Sequence, residues 1–158
     1  MVKHGIWRFT KKTRSPKRLW CFLDIHICAL RGFTAYDSVN LRGRCAAEFV
    51  LGYTPDISAY VQHEWYETIW YQDRDRESKI GQWIGAAEGI GGGDCFWILP
   101  LSAKPIARST VWAIACDKAA SNTVQERIRT LNESIESKIG DSKDELRVQA
   151  VVGDMSQD

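Results

Sequence analysis

Apolar positions recur along this chain with two different periods, and the change between them divides it. After Pro16, Leu19, Phe22, Leu23, His26, Ile27 and Leu30 fall three and four residues apart. That is the stripe of one amphipathic helix, ending near Gly32. The run "RCAAEFVL" (Arg44–Leu51) predicts a short second helix stopped by Gly52. Thr54-Pro55-Asp56 is turn chemistry, with Asp56 or Ser58 placed to orient an entering strand. Runs rich in β-formers follow at 64–72, 80–87, 95–99 and 106–115, separated by "DRDRES", "EGIGGGD" and "PLSAKP". Short strands at this spacing predict an antiparallel meander that closes into a small barrel. From Ser121 to Ile139 the helical period returns, with Val124, Ile128, Leu131 and Ile135 on one face. Ser121 is the expected N-cap and Gly140 the stop. Residues 1–16 read as an extended arm, and the polar residues 141–158 as a disordered tail.

With 158 residues, 44 % apolar and 26 % charged, the chain suits about one globular domain. Its net charge of +1 conceals a segregation. Residues 1–44 hold ten Lys or Arg against Asp24 and Asp37, whereas the remainder holds eleven basic and eighteen acidic residues. A basic arm ahead of a mildly acidic body predicts contact with a polyanion through the arm. A solvated basic tail without a partner is the plainer alternative.

The most apolar run, Leu19–Leu30, is interrupted by Asp24 and His26 and falls short of a membrane span. The N-terminus lacks the apolar centre of a secretory signal. Five cysteines, odd in number and without a CxxC pair, read as reduced, mostly buried thiols. They suit an intracellular protein of the nucleus or cytoplasm. His26 and Cys28 have no second ligand pair at metal spacing, so no zinc site is expected.

No catalytic set emerges. The glycine run from Gly89 to Asp94 precedes a strand-like "CFWILP" and not a helix, so it reads as a hairpin loop and not a phosphate cradle. Glu64 and Glu67, three apart on an expected strand, point to opposite faces. Asp73, Asp75 and Glu77 alternate with Arg74, Arg76 and Lys79 as a solvated turn would. The chain has no GxSxG elbow. The stretch 64–72 is aromatic on both faces: Trp65, Glu67, Ile69 and Tyr71 on one, Tyr66, Thr68, Trp70 and Gln72 on the other. One face must enter the core. The other is either covered by a helix or left as a stacking surface for bases or peptide side chains.

Five segments occur in a recognisable order: "RSPKRLWCF" (Arg14–Phe22), "AAEFVLGYTPDISAY" (Ala46–Tyr60), "KIGQWIG" (Lys79–Gly85), "CFWILP" (Cys95–Pro100) and "IARSTV" (Ile106–Val111). This order resembles the integrase region of copia-type retrotransposon polyproteins, over roughly residues 6–115. There the last helices of a ribonuclease-H-like core run into an SH3-like barrel. The resemblance implies an α+β fold, with a small antiparallel SH3-like β-barrel preceded by one or two helices and followed by one helix. It divides the chain into a basic arm (1–16), a helical remnant of the core (17–53), the barrel (54–116), a C-terminal helix (117–140) and the tail (141–158).

The family's three catalytic carboxylates lie upstream of the matched region, so the resemblance implies magnesium only for an intact integrase and no cofactor for this chain. Gln82 stands where the family's "GRW" strand carries a basic residue. A non-catalytic polyprotein fragment that binds nucleic acid in support of DNA integration is therefore expected. Lys11, Lys12, Arg14, Lys17 and Arg18 are its candidate phosphate contacts, and Trp70 and Trp83 its stacking residues. The expected partner is DNA, with self-association, and neither a membrane nor a small-molecule substrate. Two alternatives stay open. One is an SH3-like protein-interaction module with a groove of Trp65, Tyr66 and Trp70. The other is a non-functional eroded element that exposes the stripe Leu19, Phe22, Leu23 and Ile27.

Overall fold

Pro16, with φ −56°, delivers the chain into a 3-10 turn at Lys17–Leu19 that runs on into α1 (Trp20–Phe33). The structure is a computed structural model that describes residues 12–35, 37, 39–90 and 94–141. The expected extended arm therefore lies mostly outside the described residues, as does the tail from 142 onward. Leu19, Leu23 and Ile27 are buried, as their four-residue spacing predicts. At the other end Thr34 donates to Leu30 O, 2.7 Å away, and closes the helix one residue past Gly32.

Helix α2 (Ala46–Leu51) opens with the Cys45 sulfur accepting from Glu48 N–H at 3.3 Å, and ends at Gly52, whose φ of +77° is the left-handed cap. Asp56 does not lead into a strand. Its Oδ1 accepts from Ser58 N–H at 2.9 Å and from Ser58 Oγ–H at 2.6 Å, which starts a short helical turn, α3 (Ser58–Val61). The first strand begins four residues later than the β-forming run suggests. Glu67 N–H donates to Glu64 O, and the Glu67 carboxylate accepts from Glu64 N–H at 2.8 Å, so 64–67 close on themselves as a turn.

Five antiparallel strands follow: β1 (Thr68–Gln72), β2 (Ser78–Ala86), β3 (Phe96–Leu99), β4 (Ile106–Arg108) and β5 (Val111–Ala113). The expected single strand over 106–115 is two strands, because the chain turns a corner at Ser109–Thr110. Thr110 O accepts from Gln72 N–H, and β5 leaves β4 to pair with β1. The resulting order β4-β3-β2-β1-β5 is an open barrel-like sheet compatible with an SH3-like fold. Two further helices complete the described chain, α4 (Cys116–Ala119) and α5 (Asn122–Ile139). Ser121 is the N-cap, though through its carbonyl and without a side-chain bond, and Gly140 stops α5 in extended backbone.

The sheet has two apolar faces, and this accounts for the aromatic excess. Ile69, Tyr71, Trp83, Phe96 and Ile98, with Ile106 and Val111, draw on all five strands and fill the barrel. Gly81 sits where the wall is tightest, since a methyl there would come within 2.5 Å of Ile98 Cγ2. On the outer face Ile84 and Leu99 pack against Leu19, Leu23 and Ile27 of the α1 layer and Leu131 and Ile135 of α5. The stripe that an eroded element would leave bare is thus buried on the barrel, Phe22 only in part. Exposed apolar residues on the helical layer include Trp20, Ile25, Phe49 and Val50 instead. Cys21, Cys28 and Cys116 are exposed and only Cys45 is buried, against the expectation of mostly buried thiols. Among the described residues, no helix is long and apolar enough to cross a membrane.

His26 occupies the junction between helices and barrel. It stacks on Trp65 and Tyr60 and meets Trp83 edge-on with centroids 5.2 Å apart. Burial holds its pKa below 6.5. The unfolded chain therefore takes up this proton first as pH falls. Stability from His26 is full above about pH 6.5 and declines below it. The neighbouring groups are Tyr60, whose hydroxyl donates to Glu88, and Asp24 on the same helix, which accepts from Cys28. The urea midpoint is expected to fall between pH 7.5 and 5.5, and to fall less in His26→Phe. Equal declines in both proteins would show that other groups carry the effect.

Candidate nucleic-acid interface

The described part of the basic run starts at Lys12 and is fastened to the barrel through Ser15. Ser15 is buried, its Oγ accepting from Trp65 Nε1–H at 3.2 Å and from Thr13 Oγ1–H at 3.1 Å. A buried indole N–H without an acceptor would cost about 1–3 kcal/mol, so this bond fixes the path of the chain. Around it Lys12, Arg14, Lys17 and Arg18 are exposed, and Lys11 lies outside the described residues. Arg14 adopts the left-handed conformation with φ +56°, which turns the chain at this point. Lys17 donates its N–H to Asp141 Oδ1 at 2.8 Å, while its Nζ stands 3.8 Å from Asp141 Oδ2 and remains largely exposed. Four of the five expected phosphate contacts thus share one surface turn.

The wall beside Arg14 differs from the arm. A groove of about 810 Å³ separates the arm from α5, lined by Tyr66, Thr68, Gln82, Glu133 and Glu136. Gln82 is buried at its floor, accepting from Thr68 Oγ1–H at 3.1 Å and donating to Asn132 Oδ1 at 2.9 Å. The residue at this strand position serves a polar relay between β1 and α5 and offers nothing to a phosphate. Tyr66 has a φ of +64°, and its hydroxyl is pushed up to about 12, by burial first and then by Glu136. Glu133 and Glu136 would repel a polyanion, so a nucleic-acid path over the arm runs away from this groove.

The two expected stacking residues have different fates. Trp83 is 0 % exposed inside the barrel and cannot present a face to a base. Its strand is buried at five consecutive residues, 81 to 85, because both faces of β2 are covered. Trp70 lies on the outer face, half-buried, with the Arg127 guanidinium of α5 5.8 Å from its ring centroid. A helix thus covers it in part, the plainer of the two options. Directly opposite Trp70 on the edge strand is Trp112, exposed at 39 %, which the strand reading passed over. The alternation around "VWA" was the available signal. Trp65 is buried too, so Trp65, Tyr66 and Trp70 form no open peptide groove.

Among the described residues, no group of three His, Cys, Asp or Glu is placed to hold a metal ion. Asp73, the acidic residue with the strongest pull on it, is occupied. Lys79 Nζ and Arg108 Nη2 each donate to it at 2.6 Å, and these bonds hold its carboxyl well below the usual carboxylate range.

No protein-family model, no curated protein and no solved structure matches this chain.

Proposed function

We propose that this chain is a non-catalytic part of a copia-type retrotransposon integrase polyprotein, binding nucleic acid in support of DNA integration. The observation that carries this reading is the fastening of Ser15 to Trp65, which sets Lys12, Arg14, Lys17 and Arg18 around one fixed turn against the barrel. Cations grouped on an anchored segment neutralise successive phosphates without first being ordered, so more of the electrostatic gain is kept. The resemblance of five ordered segments to copia-type integrases suggests the family, and the strand order is compatible with the SH3-like barrel of that family. Trp112, beside Trp70, replaces Trp83 as the aromatic contact.

The test is a titration of the full chain with a duplex at two salt concentrations. With about five phosphates neutralised, affinity should fall about 10²–10³-fold between 50 and 200 mM salt. Replacing Lys12, Arg14, Lys17 and Arg18 by glutamine should flatten that slope. Binding that is absent, or insensitive to both changes, would remove the nucleic-acid part of the reading.

A second reading, a protein-interaction module, is favoured by the apolar surface of the helical layer. Trp20 is 56 % and Val50 81 % exposed, and α2 has no buried residue. Among isolated surface residues such exposure is ordinary, but a whole helix without a buried face suggests a polypeptide cover.

A further inference from the structure

Of the three buried side chains of α1, His26 alone is polar, and its surroundings hold no partner for a charge. Trp65 stacks on it at 6.0 Å, Tyr60 at 6.5 Å, and Trp83 meets it at 5.2 Å. Its Nδ1 is buried without a hydrogen-bond partner among the described residues. Asp24, two residues earlier, points to another side of the helix and accepts from Cys28. Glu88 is engaged by the Tyr60 hydroxyl. Against Trp83 lies a second buried histidine, His63, whose Nδ1 stands 3.4 Å from Glu67 Oε2. A proton on His63 therefore meets a carboxylate in place, and a proton on His26 meets none. Ring faces attract a cation weakly beside the cost of burying it without a counter-ion. Protonation of His26 thus requires its ring to reach water, and α1 must lift from the barrel to let it.

The basic run is tied to the same cluster twice. Trp65, the ring stacked on His26, is also the donor that holds Ser15, its Nε1 3.2 Å from Ser15 Oγ. Lys17 and Arg18 lead directly into α1, whose contact with the barrel is carried by Leu23 and Ile27 on either side of His26. An outward movement of His26 therefore disturbs the Ser15 anchor through the indole and through the chain that follows it.

We propose that His26 is an acid-sensitive switch on the basic arm: once its ring takes up a proton, α1 and Trp65 separate, Ser15 is released, and the phosphate-binding turn loses its fixed shape. The regulated activity rests on the nucleic-acid reading, whereas the release of Ser15 does not. The direction is diagnostic. Acid adds positive charge to the chain, which by itself strengthens binding to a polyanion. The switch weakens it instead. In the open form His26 has its ordinary affinity for protons, so that form gains on the closed one below about pH 6.5, by at most about tenfold per pH unit for one proton.

The experiment follows the full chain at pH 7.5 and 5.5 by two readouts, duplex affinity at fixed salt and the indole N–H resonance of Trp65. The unaltered chain should bind the duplex about threefold to tenfold more weakly at pH 5.5, while the Trp65 signal moves to that of a solvated indole. His26→Phe should hold the Trp65 signal in place and bind no more weakly in acid. Ser15→Ala, which removes the anchor alone, should bind more weakly at pH 7.5 and show no further fall in acid. A Trp65 signal unchanged at pH 5.5 overturns the switch. So does an acid fall in Ser15→Ala as large as in the unaltered chain. If the duplex fails to bind at pH 7.5 and the Trp65 signal still moves in acid, the nucleic-acid reading falls and the release of Ser15 by His26 stands.

Discussion

Trp83→Ala should lower the stability of the chain by about 3–5 kcal/mol, whether or not nucleic acid is present. The indole is fully buried between Ile98, its cross-strand partner, and the rings of His26 and His63, 5.2 and 6.1 Å away. Nothing nearby is free to collapse into the space, because Gly81 and Ile98 already meet at the closest wall of the barrel. Urea denaturation followed by circular dichroism measures the loss. Trp112→Ala, at an edge strand and partly exposed, should cost far less stability yet weaken duplex binding. If Trp83→Ala kept its midpoint and lost only binding, the indole would have to reach solvent, and the barrel described above would be wrong.

Leu23→Ala should cost about 2–5 kcal/mol. Leu23 is 0 % exposed, and its contacts belong to the cluster that joins α1 to Ile84, Leu99, Leu131 and Ile135. Because α1 and α5 pack together on one face of the sheet, helices and barrel form a single cooperative unit. Helical and aromatic signals should therefore be lost together, in one transition at lower urea. Separate transitions would instead support an independent helical segment ending at residue 53, the division expected from the family resemblance.

The sequence stripes that were easiest to read are those that meet one surface. Leu19, Leu23 and Ile27, and likewise Leu131 and Ile135, fall where a helix lies on a sheet, so their period of 3.6 survives in the burial. β2 gives no such sign. Residues 81 to 85 are buried on both faces, and alternation cannot distinguish the barrel side from the helix side. Hence Trp83, which faces inward, looked as available as Trp70, which faces out. The turn at 64–67 was hidden for another reason. Trp65 and Tyr66 at its centre are strong strand formers, and the hydrogen bonds of Glu67 to Glu64 override that preference. The corner at Ser109–Thr110 was hidden because both sides of it are β-forming, and what divides them is a pairing with β1 forty or more residues earlier in the chain.

The Ser15–Trp65 bond joins residues fifty positions apart, so no local pattern could have placed the basic run against the barrel. The exposed positions of Lys12, Arg14, Lys17 and Arg18 followed from their charge alone. Their common anchor did not.

Lys17 and Asp141 have a last consequence. Their hydrogen bond of 2.8 Å brings the start of the first helical layer beside the last residue the structure describes. A unit whose two ends touch can be carried as an insert in a loop of a larger chain without prying that loop apart. It can equally be cut elsewhere and rejoined across these ends, keeping its sheet and helices in place. For a segment resembling part of a polyprotein, adjacency of the two ends means that flanking sequence of any length can come and go at one spot on the surface.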